Sequence, residues 1–204
     1  MPRLYDYLDS GNGYKIRLLF ALLEQPYTWK ELDILAGETR TPAFLALNPN
    51  GRIPTLELDD GTCLAESNAI LWYLAEGSPF VPQDRLARAQ VLQWMFFEQY
   101  SHEPYVATPR FIVRHLPKDS PRRAELPDRM ARGMAALAVM ERHLSTRTFF
   151  VGERYSIADI ALYAYTHVAP EAGFDLAPYP HILAWMGRVS AHPKHIPITC
   201  RPPE

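Results

Sequence analysis

Three short segments carry side chains whose types and spacing could do chemistry. In the first, Asp9-Ser10-Gly11-Asn12-Gly13, a hydroxyl, a carboxamide and glycine N–H groups stand just ahead of a helical pattern that opens at Tyr14. Donors at a helix N-terminus, where the positive end of the macrodipole adds its field, suit a negative charge. In the second, Asn48-Pro49-Asn50-Gly51-Arg52-Ile53-Pro54-Thr55-Leu56, an Ile-Pro bond opens a strand. X-Pro bonds reach the cis form for only about 0.5–1 kcal/mol, so this step invites a cis peptide. In the third, Glu66 precedes Ser67, read as the N-cap of a helix from Ala69 to Glu76. The N–H groups of that helix start suit a carboxylate and Glu66 suits an ammonium, so the turn can read an amino-acid head group.

Other chemistries are disfavoured. Cys63 and Cys200 are far apart and form no C-x-x-C, which excludes a thioredoxin-type dithiol and a cysteine zinc site. Any redox chemistry must take its sulfur from a ligand. Seven histidines are scattered without an H-E-x-x-H spacing, so no metal is expected. The net charge is −2 with no basic block, which argues against nucleic acid and anionic membranes as partners. No apolar run approaches the ~18 residues that span a bilayer. Met1-Pro2-Arg3 leads straight into a strand pattern, so the expectation is a cytoplasmic chain without a leader.

The elements that must position these segments fall into two halves. Residues 3–8 read as a strand; Ile16, Leu19, Phe20 and Leu23 mark a helix that Pro26 ends; residues 27–34 read as a second strand. Thr41-Pro42 opens a short helix, and Asp60-Gly61 joins two strands of a hairpin. The order is β-α-β-α-β-β-α over residues 1–76. Residues 77–84 carry two prolines and no periodicity, as a linker does. Beyond them no strand pattern appears. Asp84 caps a long helix disturbed near Pro104 and Pro109, and three further helices follow, over Asp128–Leu144, from Ser156 and from Tyr179-Pro180. Ser156-Ile157-Ala158-Asp159 reads as a structural capping box. The tail from Ile196, with three prolines, is expected to be loosely attached.

An α/β half, a linker and a helical half, with N-P-N-G-R-I-P-T-L at 48–56, E-S-N-A-I at 66–70 and S-I-A-D at 156–159, resemble the cytosolic glutathione transferase family. The resemblance spans nearly the whole chain. It implies a thioredoxin-like N-terminal domain over residues 1–76 that binds glutathione, a linker at 77–84, and an all-helical domain over 85–204 that holds the acceptor substrate. Glutathione would be a co-substrate, with no metal. Pro54 would be cis and the backbone of Ile53 would meet the cysteinyl residue; Glu66 and Ser67 would take the γ-glutamyl head group; Thr39 or Arg40, and Arg52, would meet the glycine carboxylate.

A free thiol with a pKa of ~8.5 is only about 3% thiolate at pH 7, and lowering it by two units takes ~2.7 kcal/mol. Two hydrogen bonds to a charged acceptor at ~1.5 kcal/mol each supply that much. Some classes of the family use a tyrosine at the end of the first strand, here Tyr7 or Tyr5. The stretch Ser10-Gly11-Asn12-Gly13-Tyr14-Lys15 is more similar to the bacterial nu-class pattern, with Ser10 where that pattern has threonine. That similarity implies Ser10 and Asn12 as the thiolate donors and a glutathione-dependent disulfide reductase or a conjugating transferase. Tyr100, Tyr105 and Phe111 are candidates for the pocket of a small-molecule electrophile or disulfide. A homodimer is implied, and the apolar run Val91-Leu92-Gln93-Trp94-Met95-Phe96-Phe97 exceeds what one helix face needs for its own core. The alternative is a non-catalytic interaction or regulatory protein that keeps this fold.

Overall fold

The computed structural model describes residues 1–202. Contacts divide the chain into two compact units, one of Met1–Ser78 together with the tail from Pro193, the other of Pro79–His192. The first unit is built on a four-stranded sheet in the order β2-β1-β3-β4. Its elements are β1 (Arg3–Asp6), α1 (Gly11–Leu23), β2 (Thr28–Glu31), α2 (Pro42–Leu47), β3 (Thr55–Glu57), β4 (Cys63–Ala65) and α3 (Ser67–Ala75). β1 and β2 run parallel, as a right-handed crossover through α1 allows, while β3 and β4 are antiparallel.

Alternation along β1 sorts its side chains between the two faces of the sheet. Leu4 and Asp6 are fully buried, and Asp6 meets Arg17 of α1. Tyr5 points the other way, its ring edge-on to Phe44 of α2. Helix α1 is buried along most of its length, Lys15 and Arg17 included. The sequence pattern placed Gly11 to Gly13 in a loop, whereas they form the first turn of α1. Ser10 is the N-cap and its Oγ accepts from the Gly13 N–H at 3.3 Å. Glycine costs less in a first turn than in a helix interior, and the cap satisfies a donor that would otherwise be orphaned.

The tail also departs from expectation. Over residues 193–202 it groups with the first unit and is held by specific bonds; residues 203 and 204 lie outside the described residues. Arg17 Nη1 donates to the carbonyls of Ile198 and Cys200 at 2.8 and 3.1 Å, and the Tyr14 hydroxyl donates to the Ile196 carbonyl at 2.7 Å. Lys194 pairs with Glu24, and Arg201 pairs with Glu31. Proline-rich backbone has few N–H groups but keeps every carbonyl, and a buried guanidinium is a donor that such backbone can satisfy.

The second unit holds α4 (Arg85–Phe97), α5 (Glu103–His115), α6 (Leu126–Leu144), α7 (Ile157–Thr166) and α8 (Pro180–Ser190). Asp84 caps α4, its Oδ1 accepting from the Ala87 N–H at 2.8 Å. The expected disturbance is a widened π turn over Glu98–His102, after which α5 starts with Pro104 in its first turn. Proline lacks the N–H that would continue the α4 ladder, and the extra residue of a π turn lets the helix resume in a new register. Part of the expected linker joins this unit, with Phe80 and Val81 buried and the Phe80 carbonyl accepting from the Ile157 N–H at 3.1 Å.

Asp159 ties this unit together. One carboxylate oxygen accepts from the Phe150 N–H and from the Trp185 indole N–H, each at 3.0 Å; the other accepts from the N–H and the hydroxyl of Ser156, each at 2.9 Å. Burial nevertheless pushes its carboxyl up to about 6. Four donors lose their acceptor at once in Asp159→Ala, and unsatisfied buried groups cost about 1–3 kcal/mol each. The expected outcome is a loss of at least about 3 kcal/mol in chemical denaturation; a loss below ~1 kcal/mol would show that the network contributes little.

Candidate functional site

Sheet register gathers the three candidate segments at one end of the first unit. Tyr5 of β1 is opposite Thr55 of β3, and Thr55 is opposite Ala65 of β4. Continued by a residue, that register sets the exit of β1, the Ile53–Pro54 entry of β3 and the Glu66–Ser67 exit of β4 side by side. β2 is parallel to β1, so its exit, and with it the segment that leads to Thr39, leaves from the same end. Residues far apart in sequence therefore meet because β3 runs against its two neighbours.

At the centre of this end, three side chains share one oxygen. Lys15 Nζ donates to Ser67 Oγ at 3.2 Å, and the Ser67 hydroxyl donates to Asn12 Oδ1 at 3.3 Å. Asn12 and Lys15 are three residues apart on α1 and so share a face. The bond to Oδ1 fixes the orientation of the Asn12 carboxamide, whose nitrogen is the end that donates. Ser10 uses a lone pair for the Gly13 N–H, which leaves its O–H as a donor.

Ser67 is not the N-cap expected from the sequence. It is the first residue of α3, and the cap position belongs to Glu66, which has φ +66° and ψ 111° and makes no side-chain cap bond. Positive φ is costly for a residue with a Cβ, by about 1–3 kcal/mol. The turn thus holds the exposed Glu66 side chain against a local cost, while Ser67 is buried.

The Ile53–Pro54 bond is cis. Its position is maintained by Asn48, a buried residue that the sequence reading passed over. Asn48 Nδ2 donates to the Arg52 carbonyl at 2.8 Å and to Thr55 Oγ1 at 3.1 Å. Thr39 is buried and Arg40 exposed; Arg40 Nη1 donates to the Asn50 carbonyl at 3.1 Å. Gly51 has φ +62°, and a Cβ there would fall 2.6 Å from Arg40 Nη1 and 2.9 Å from the Thr39 carbonyl. Thr39, Arg40 and the loop that bears exposed Arg52 are therefore packed together, as the sequence reading grouped them.

The competing tyrosines differ from Ser10 and Asn12. The Tyr5 hydroxyl donates to Glu57 Oε2 at 2.8 Å, and burial, more than any neighbour, raises its pKa. Tyr7 lies just past β1, and its carbonyl accepts from the Ser10 N–H at 2.8 Å, so it shapes the turn before α1.

In the second unit, Tyr100 and Tyr105 line an open apolar groove of about 290 Å³ with Phe97, Arg132 and Val139. Arg132 Nη1 donates to the Tyr105 hydroxyl at 3.2 Å, and its guanidinium lies over that ring. Phe111 is not part of this groove; its ring lies 5.3 Å from that of His115.

Two family models match the chain: the glutathione S-transferase N-terminal domain over residues 10–76 and the glutathione S-transferase C-terminal domain over residues 94–193. The chain belongs to the glutathione S-transferase family. It is similar to a glutathione S-transferase crystal structure from Pseudomonas fluorescens Pf-5, with 59% identity, a TM-score of 0.93, and 97% of this chain and 98% of that one covered. A glutathione transferase from Burkholderia graminis, crystallised with two glutathione molecules per subunit, is 27% identical with a TM-score of 0.82, covering 95% of this chain and 85% of that one. Among curated proteins, elongation factor 1-gamma of Artemia salina is 36% identical over 184 residues, which are 83% of this chain and 40% of that protein. The chain thus spans about 40% of the length of such relatives.

Gly13 is the tightest point of the site. A Cβ there would overlap Asp6 Oδ1 at 1.5 Å, and that carboxylate is held by Arg17 and by the Tyr7 N–H. Gly13→Ala must therefore displace a buried ion pair or the first turn of α1. The expected cost is about 3 kcal/mol or more, since overpacking and disruption of a buried pair both contribute. Thermal and chemical denaturation measure it, and a variant within ~0.5 kcal/mol of wild type would show that the turn relaxes freely.

Proposed function

We propose that this protein is a glutathione transferase that binds glutathione at the site end of its sheet and holds the thiol as a thiolate. The observation that carries this reading is the pairing of Ser10 and Asn12 in one turn, with the Asn12 carboxamide oriented by Ser67 at the N-terminus of α1. The Ser10 hydroxyl and the Asn12 amide donate to the sulfur, and the helix field adds to them. Glu66 takes the ammonium of the γ-glutamyl group and Ser67 its carboxylate. Ile53, beside Pro54, pairs with the cysteinyl backbone, and Thr39, Arg40 and Arg52 meet the glycine carboxylate. The thiolate then attacks a small-molecule electrophile, forming a thioether as the leaving group departs with its electron pair. With a disulfide, the thiolate attacks one sulfur and expels the other as a thiolate, forming a mixed disulfide; a second glutathione thiolate attacks the glutathione sulfur of that mixed disulfide and expels the remaining substrate thiolate, releasing oxidised glutathione. Tyr100 and Tyr105 contribute to the acceptor pocket. The protein acts in the cytoplasm without a metal.

A second reading is favoured by one finding, the similarity to elongation factor 1-gamma. On this reading the fold serves as an interaction module without turnover. Retention on immobilised glutathione, with conjugation and disulfide-reduction assays on the eluate, separates the two readings. Activity in either assay supports the first, and folded protein that is neither retained nor active supports the second.

The donors are tested by the ultraviolet absorbance of the bound thiolate against pH. In Ser10→Ala and Asn12→Ala the pKa of bound glutathione is expected to rise by about one unit for each ~1.4 kcal/mol lost. Activity falls several-fold near pH 7 and recovers as the pH rises. Tyr7→Phe is expected to change little. A large shift in Tyr7→Phe alone would move the role to the tyrosine.

A homodimer belongs to the same proposal. Leu86, Phe96 and Tyr100 are 67, 68 and 85% exposed along α4 and the turn that follows it, an unusual amount of apolar surface for an uncovered helix. Sedimentation at micromolar concentration is expected to give a dimer and Phe96→Asp a monomer. A monomeric wild type would overturn this part.

A further inference from the structure

Lys15 is fully buried, and nothing in the mechanism above uses it. We propose that Lys15 is a positioning residue for the thiolate, acting through Ser67 and Asn12 rather than by touching glutathione. The inference rests on the glutathione reading. A buried ammonium is costly, and proteins retain such groups where a fixed charge or orientation is needed. Here Nζ lies 3.2 Å from Ser67 Oγ, the same oxygen whose proton goes to Asn12 Oδ1 at 3.3 Å.

The chain of donors has a direction set by Lys15. A lysine ammonium can only donate, so it occupies a lone pair of Ser67 Oγ. The single hydroxyl proton must then point away from Lys15, and it reaches Asn12 Oδ1. Asn12 in turn is obliged to present its NH₂ end outward, the end a thiolate requires. Without the ammonium, Ser67 can rotate its proton elsewhere and the Asn12 carboxamide can flip, offering oxygen where a donor is needed. The positive charge also polarises each bond in the series, which strengthens the last one.

The other charges around this turn do not replace it. Asp6 of β1 is committed to Arg17, and Glu66 at the start of α3 is exposed and of the opposite sign. Ser67 also stands at the proposed γ-glutamyl subsite, so a head-group carboxylate arriving at its N–H sits near the same ammonium. Recognition of the head group and activation of the thiol are thereby coupled through one hydroxyl.

The test compares wild type, Lys15→Gln and Ser67→Ala. Circular dichroism confirms folding, calorimetry gives glutathione affinity, and thiolate absorbance against pH gives the pKa of bound glutathione. In both variants the thiol pKa is expected to rise by about one unit, and affinity to fall by about tenfold. Ser67→Ala leaves the ammonium and the Ser67 N–H in place and removes the hydroxyl that links Lys15 to Asn12 at the head-group subsite, so the thiol pKa, not the affinity, decides the matter if Lys15→Gln folds poorly. Reduced affinity with an unmoved thiol pKa would mark a structural role and overturn the proposal. Wild-type binding with both variants unchanged would overturn it too, while leaving the glutathione reading intact. A wild type that binds no glutathione would overturn that reading and this inference with it.

Discussion

The first unit depends on the buried ion pair between Asp6 and Arg17. Asp6 at the end of β1 and Arg17 in the middle of α1 meet at 2.9 Å, both side chains without solvent exposure. Burial pushes the Asp6 carboxyl up to about 6, and the Arg17 guanidinium opposes that shift. The pair survives because its spare valences are filled: Asp6 accepts the Tyr7 N–H, and Arg17 donates to the carbonyls of Leu8, Ile198 and Cys200. One guanidinium thus holds the strand, the turn before α1 and the returning tail. A buried pair of this kind contributes little over apolar packing, but losing one partner costs about 3–5 kcal/mol. What it supplies is register, since a shift of α1 along β1 would strand both charges.

Register matters because the site is a matter of a few ångströms. Asp6 packs directly on Gly13, so the ion pair sets where α1 begins, and with it the positions of Ser10, Asn12 and Lys15. The opposite wall is set independently by the β3–β4 hairpin, through Thr55 opposite Ala65. Ser67 is the point at which the two walls touch. A loop placed by its own sequence alone would not hold such contacts, whereas a helix start and a strand end anchored in one core do.

Much of this was legible in the sequence, and the part that was not has a physical explanation. Helix starts marked by local chemistry, Thr41-Pro42 and Asp84, are where the side chains said they would be, because capping needs only four consecutive residues. Ser67 misled the same logic. It has the right type and the right neighbours, yet Glu66 occupies the cap with positive φ, a strain that only tertiary contacts can impose. Lys15 was legible only as the last residue of the Ser10–Lys15 motif and Arg17 was passed over, because their burial depends on tertiary partners: Ser67 for Lys15, and Asp6 with tail carbonyls up to 183 residues away for Arg17. The glycines of the first α1 turn looked like a loop for a related reason. Gly13 is required by the Asp6 carboxylate, and a packing contact between a strand and the helix that follows it cannot be inferred from propensity.

The groups that hold the fold are not the groups that would face glutathione. Asp6, Arg17, Gly13 and Asp159 act on packing, whereas Ser10, Asn12 and Glu66 are at least partly exposed at the sheet end. A chain could lose the second set and keep the first, retaining the fold while giving up thiol activation. One architecture matches both a glutathione S-transferase and part of elongation factor 1-gamma, and family membership alone does not decide between catalysis and docking. In this chain Ser10, Asn12 and Glu66 stand at that end together with Lys15, which is buried behind Ser67 and Asn12. On the proposed reading that amine would act on a thiolate only through Ser67 and Asn12, so fixed hydrogen-bond donors, not a direct charge contact, would carry the stabilisation there.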